Sequence, residues 1–198
     1  FNSSHLFWFF SVFNPDAVKN VKLIKGGIPS QYGGRLSSVL DIRMKEGNSK
    51  KLSGQGGIGA LFSRLAIEAP IIKDKASFII AGRRSYADIL AKPFLSDDFS
   101  DAKFYFYDLT AKVHYDINEK NNVYLSGYFG RDVFYSGFGF DWGNQTATAR
   151  WNHIFNDKLF LNTTSYFSNY DFKIGVGDVE SGGFQWLGQI RNYSIKPS

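Results

Sequence analysis

The run YFYDLTAKVHYDI, residues 105–117, alternates strictly between two kinds of side chain. Tyr105, Tyr107, Leu109, Ala111, Val113, Tyr115 and Ile117 fall on one side of an extended chain. Phe106, Asp108, Thr110, Lys112, His114 and Asp116 fall on the other. A period of two marks a strand, because successive side chains leave opposite faces. Here it lasts well beyond the ~5–6 residues of an ordinary soluble strand. The apolar side also has an order, with tyrosines toward its ends and aliphatic residues between them. Aromatic rings favour the two membrane interfaces and aliphatic side chains the hydrocarbon, an order a water-soluble sandwich does not need. The pattern predicts a membrane-crossing strand over about 104–117, with Leu109, Ala111 and Val113 toward lipid. Thr110, Lys112 and His114 then face a lumen, and a charge at Thr110 should be mild.

Working outward, strand follows strand from about residue 51. RLAIEAPI sets Leu65, Ile67 and Ala69 against Arg64, Ala66 and Glu68. TATARWNHIF sets Ala147, Ala149, Trp151 and Phe155 against Thr148, Arg150 and Asn152. In 158–174 and 186–196 both faces are mixed and neither is assigned outward. The connections IKDK, NEKN and NDK are tight and polar, whereas ILAKPFLSDDFSDA, YSGFGFDWGN and GVGDVESGGF are long and irregular. Short turns at one end and long loops at the other characterise outer-membrane barrels. Eight strands are expected, at about 51–58, 61–71, 76–88, 104–117, 122–135, 145–155, 158–174 and 186–196. The first pair must join near Gly59–Ala60, at the long-loop end.

Residues 1–48 read differently. Asn14 suits a helix cap, Pro15 the first helical position and Asp16 the positive helix end, predicting a short helix over about 15–20. Strands at about 21–25 and 38–45 follow, with glycine pairs Gly26–Gly27 and Gly33–Gly34 between them. The chain opens inside an apolar run without Met and ends within a strand pattern, so an excerpt of a longer protein is expected.

Composition excludes several functions. There is no cysteine, hence no disulfide framework or thiolate metal site. The net charge of +5 is spread along the chain rather than gathered on one face, which argues against a nucleic-acid partner. GQGGIG fits a nucleotide-binding glycine pattern only formally, since no buried strand precedes it and no helix follows. Three scattered histidines lack metal-ligand spacing. Asp97, Asp98 and Asp101 read as a solvated loop. No catalytic residue, metal or cofactor is expected. The better functional lead is aromatic: Tyr135, Phe138, Phe140, Trp142, Phe184 and Trp186, read as loop rings that stack on a ligand or form the outer girdle.

NPDAVKNVKLIKGGIPSQYGGRLSSVLDIRMKEGN, followed by glycine-rich strands, resembles the end of the plug domain of TonB-dependent outer-membrane receptors. Lys25–Gly26, Tyr32–Gly33 and the strand Leu36–Ile42 match in order, over about residues 5–47, with Arg35 where a more neutral residue is usual. Glycine supplies the bends and close approach that a plug folded inside a barrel requires. The resemblance implies residues 1–48 as the C-terminal part of a plug and 49–198 as the first strands of a transmembrane β-barrel. It also implies import of a scarce nutrient across the bacterial outer membrane, driven by a TonB complex. Outer-membrane lipid is a partner and a surface lipoprotein an optional one. The plug turn is Gly26, Gly27, Tyr32, Gly33, Gly34 and Arg35, and Arg35 is expected to pair with Glu68 on the barrel wall. Rival readings are a small outer-membrane barrel without a transport role and a secreted glycan-binding β-sandwich.

Overall fold

A computed structural model of the chain describes residues 4–5, 10–29, 38–94, 102–176 and 183–198. Among these, β1 (Ser4–His5) pairs with β2 (Phe10–Ser11), and β3 (Val18–Lys25) pairs with β4 (Ser38–Met44). The rest is one antiparallel sheet of eight strands, each hydrogen-bonded to its neighbour in sequence. These are β5 (Ser53–Ile58), β6 (Phe62–Ile72), β7 (Ala76–Ser85), β8 (Lys103–Asn118), β9 (Asn121–Ser136), β10 (Phe138–Asn156), β11 (Leu159–Val176) and β12 (Phe184–Pro197). Helical structure among the described residues is limited to α1 (Ala87–Ala91) and a 3-10 turn, Lys92–Phe94. The fold is mainly β and antiparallel, as the alternation and the tight turns require.

Two local expectations are overturned. Asn14 does use its side chain as a cap, accepting from the Asp16 amide at 3.0 Å, but only a turn forms. The Ala17 and Val18 amides donate back to Asn14 and Pro15, and β3 begins at once. Val18 and Val21 are β-branched, and cross-strand pairing of Val21 with Ile42 and Leu23 with Leu40 outweighs the helix-start signal. The second correction concerns YSGFGFDWGN, which is strand rather than loop. Ser136 pairs with Phe138 around Gly137, whose φ of +69° takes the turn that a side chain would disfavour. The connection Gly59–Leu61 is short as well. Short turns at one end with long loops at the other is therefore not the rule among the described residues.

The two faces of the sheet differ sharply. Arg83, Asp108, Thr110 and Asp132 are buried on one, whereas Ile67, Ile80, Leu109, Leu125 and Phe129 are exposed on the other. The buried face is covered by the N-terminal segment, whose Ala17 packs with Ala66, Ile79 and Ala81 and is flanked by Met44. One hydrogen bond braces the segment internally and another crosses the seam to the sheet. The Lys45 amide donates to Ala17 O at 2.8 Å, and Ser77 Oγ donates to Glu46 O at 2.7 Å.

Gly47 makes the handover between the two parts. Its φ is +85°, and a Cβ there would collide with the main chain of Phe78 on β7. Backbone cannot be moved as cheaply as a flexible side chain. Gly47→Ala should therefore cost about 1–3 kcal/mol, the range for a residue forced into a sparsely populated conformation. Chemical denaturation measures this, and a change within error would contradict the seam geometry.

Candidate functional site

The buried face holds a charged cluster that ties β1 to β7, β8 and β9. Alternation puts Arg83, Asp108 and Asp132 on one face of three adjacent strands, because Phe106 pairs with Asp132 and Asp108 with Gly130. Register alone thus assembles two carboxylates around one opening. Into it comes His5, fully buried, stacked on Phe106 with ring centres 4.4 Å apart. Its Nδ1 lies 2.6 Å from Asp132 Oδ2, and its Nε2 lies 3.3 Å from Asp108 Oδ2 and 3.1 Å from the Tyr128 hydroxyl. Arg83 donates from Nε and Nη2 to the same Asp108 oxygen at 2.7 and 2.6 Å, and from Nη2 to Ser11 O at 2.8 Å. Gly130 supplies the room. A Cβ at that position would occupy the space of the Tyr128 phenol.

Electrostatics follow from this geometry. Burial by itself would lower the His5 pKa, but the hydrogen bonds and charges of Asp108 and Asp132 outweigh it and raise the pKa above its ordinary value of 6.5. A protonated His5 with Arg83 balances the two aspartates. A buried charge without such a partner is costly. The cluster therefore clasps the N-terminal segment onto the sheet. A second clasp lies beside it on the same face, one strand over, where Arg64, the register partner of Arg83, donates from Nη1 to Asp16 Oδ1 at 2.7 Å and Gln55 donates to Asp16 O at 3.4 Å.

The expected site residues are placed as follows. Glu68 does lie on the buried-face side, accepting from Ser53 Oγ at 3.0 Å. Its expected partner Arg35, with Tyr32, Gly33 and Gly34, lies outside the described residues. Among the described residues the cross-seam ion pairs run both ways: Arg64–Asp16 puts the arginine on the sheet and the carboxylate on the N-terminal segment, whereas His5 brings the cation from the segment to Asp108 and Asp132 of the sheet. Gly26 and Gly27 have φ of +70° and +55°, which bends the chain directly after β3.

The aromatic residues sit on strands, not loops. Tyr135 faces away from the N-terminal segment, while the other five lie on the segment's side of the sheet. Register lines up Phe104, Phe134, Phe140, Ile174 and Trp186 across β8 to β12, next to the row that holds Phe106 and Trp142. Trp142 is 2% exposed and packs against Phe140 at 4.5 Å, so it is structural. Phe184 and Trp186 remain 62% and 58% exposed, and Trp186 meets Phe172 edge-on at 5.9 Å. The result is an aromatic band at the far end of the buried face.

His5 was invisible as a functional residue in the sequence because its partner Asp132 lies 127 residues away. Asp97, Asp98 and Asp101 lie outside the described residues. Among the described residues no three His, Cys, Asp or Glu side chains are placed to hold a metal ion. No helix there is long and apolar enough to cross a membrane, which leaves crossing by strands open. No family model, curated protein or solved structure matches the chain.

Proposed function

We propose that the chain is part of a TonB-dependent receptor of the bacterial outer membrane. Residues 1–48 are the end of its plug and 49–198 the first strands of its barrel, and the whole imports a scarce nutrient. No bond chemistry is assigned to it. One observation carries this reading. A single long-stranded sheet holds an N-terminal segment on one face through buried ion pairs and leaves aliphatic side chains exposed on the other. A strand of ~9–11 residues suffices to cross a bilayer, and β8 to β12 run from 14 to 19 residues.

Two further observations weigh against the rivals. In a soluble sandwich a second sheet would pack on the aliphatic face; among the described residues none does. In a small closed barrel β5 would pair with β12, and among the described residues the sheet order runs from one to the other without closing. The exposed rings support one class of ligand. Phe184 and Trp186, with Phe140, suit a nutrient with flat amphipathic faces, such as a glycan. The TonB complex and an optional surface lipoprotein are the protein partners.

Membrane fractionation of cells making the full-length protein tests the reading. Recovery in the outer-membrane fraction, released by detergent and not by salt or alkali, is the expected result. Recovery in the aqueous fraction without detergent would overturn it.

A further inference from the structure

The face turned away from the N-terminal segment carries a feature that transport does not use. An open trough of about 580 Å³ crosses β8 to β12 between two rows of side chains. Val113, Leu125 and Ile195 stand on one side of it, and Ala111, Phe167 and Tyr193 on the other. Gly127 and Ala147 keep its middle open. Five strands spaced ~4.8 Å apart make the trough about 19 Å long, the length of an extended long acyl chain.

Toward the aromatic end of the same face the character changes from apolar to cationic. Arg191 lies two residues beyond Tyr193, about 7 Å along β12. Lys173 is on the neighbouring strand, four residues beyond the partner of Arg191. Arg84, on β7, lies 4.3 Å over the Tyr105 ring. All three are exposed, and among the described residues none has a carboxylate partner. The two acids on this part of the face, Asp141 and Asp171, are both occupied by Arg131, at 2.6 and 3.1 Å. Among the described residues of this part of the face, with Lys103 and Arg131 included, five cations face two carboxylates.

We propose that this face is a docking site for a phosphate-bearing acyl lipid, its chain in the trough and its phosphate held by Arg191 and Lys173. A neutral lipid would leave the cations unused, and a soluble polyanion would leave the trough unused; a phospholipid uses both. Arginine and lysine are the ordinary phosphate-binding side chains, and a partly desolvated interface strengthens their attraction. The proposal rests on the membrane reading above.

The test uses the full-length protein in bilayer discs of phosphatidylcholine doped with phosphatidylglycerol. Lipid that stays with the protein through detergent exchange is identified by mass spectrometry. Wild type is expected to enrich phosphatidylglycerol several-fold over the disc composition. Arg191→Gln with Lys173→Gln should abolish the enrichment without reducing total lipid. Ala147→Trp, which fills the trough, should lower retention of both lipids. Glycerol phosphate in excess should displace neither. Displacement by glycerol phosphate, or unchanged enrichment in the double variant, would overturn the site. Protein that enters the discs but returns their own lipid composition overturns this site alone. Protein that never enters them overturns the membrane reading and the site with it.

Discussion

Arg83→Met is expected to destabilise the chain by about 3–5 kcal/mol, the cost of leaving one member of a buried ion pair behind. Asp108 is 4% exposed and receives both Arg83 hydrogen bonds on one oxygen. Without Arg83 that oxygen keeps, among the described residues, only His5, at 3.3 Å. The same change removes the donor to Ser11 O, so β1 and β2 lose one of their anchors as well and keep the contact of His5 with Asp132. Hydrogen exchange should therefore rise first in β1 and β2, before the sheet itself opens. Adding Asp108→Leu should recover much of the loss, because it removes the stranded charge. Unchanged exchange in the Arg83→Met protein would show that the cluster does not clasp the segment.

The clasp also depends on pH, with a definite sign. The folded-state pKa of His5 lies above 6.5, held there by Asp108 and Asp132 against the opposing effect of burial. A raised pKa contributes stability that is fully present below about 6.5 and is lost as pH rises through the folded value. Protection of β1 and β2 should accordingly fall on the alkaline side of 6.5. Asp132→Asn should flatten that dependence, since the closest carboxylate is then neutral.

Leu109→Arg should cost ~2–4 kcal/mol in a bilayer, the range for an arginine at the midplane on a lipid-facing strand position. Leu109 is 48% exposed, within a field of exposed aliphatic neighbours that includes Ile80 and Leu125. Thr110 does not serve as the mild control expected from alternation. At 7% exposure it is buried on the face that carries the N-terminal segment, and an arginine there would be crowded. Ser168, on the same side and paired with Thr146 and Asn192, is the better control. Ser168→Arg should stay below about 1 kcal/mol. Urea titration of folding into lipid bilayers reads both. Equal costs at Leu109 and Ser168 would remove the assignment of the exposed face to lipid.

What local periodicity could reveal, it did reveal. Strict alternation over 105–117 made β8 legible, along with which side of it is covered: Thr110 is buried and Leu109 exposed. Tight polar turns at IKDK, NEKN and NDK located three hairpins, because a strand pattern interrupted by two or three polar residues leaves few other solutions. Glycine blurred the signal elsewhere. In 134–145 the same residue type serves both the turn at Gly137 and the strand beyond it, so β10 begins seven residues before its apolar pattern suggests. At residues 14–18 the cap signal was correct in chemistry and wrong in outcome, since long-range pairing with β4 decided the fate of Val18 onward.

The clasp was beyond the sequence altogether. Asp108 and Asp132 belong to different strands, and only the register of β8 on β9 puts them around one opening. His5, far off in the chain, gains a partner only when the N-terminal segment folds back over that opening. Sequence alone therefore determined most of the strands, their order as neighbours and the two unlike faces of β8, because alternation and turn chemistry act over a few residues. Tertiary structure alone decided which charges meet, because a buried ion pair is set by register and coverage and leaves no mark on the residues adjacent to it in the chain.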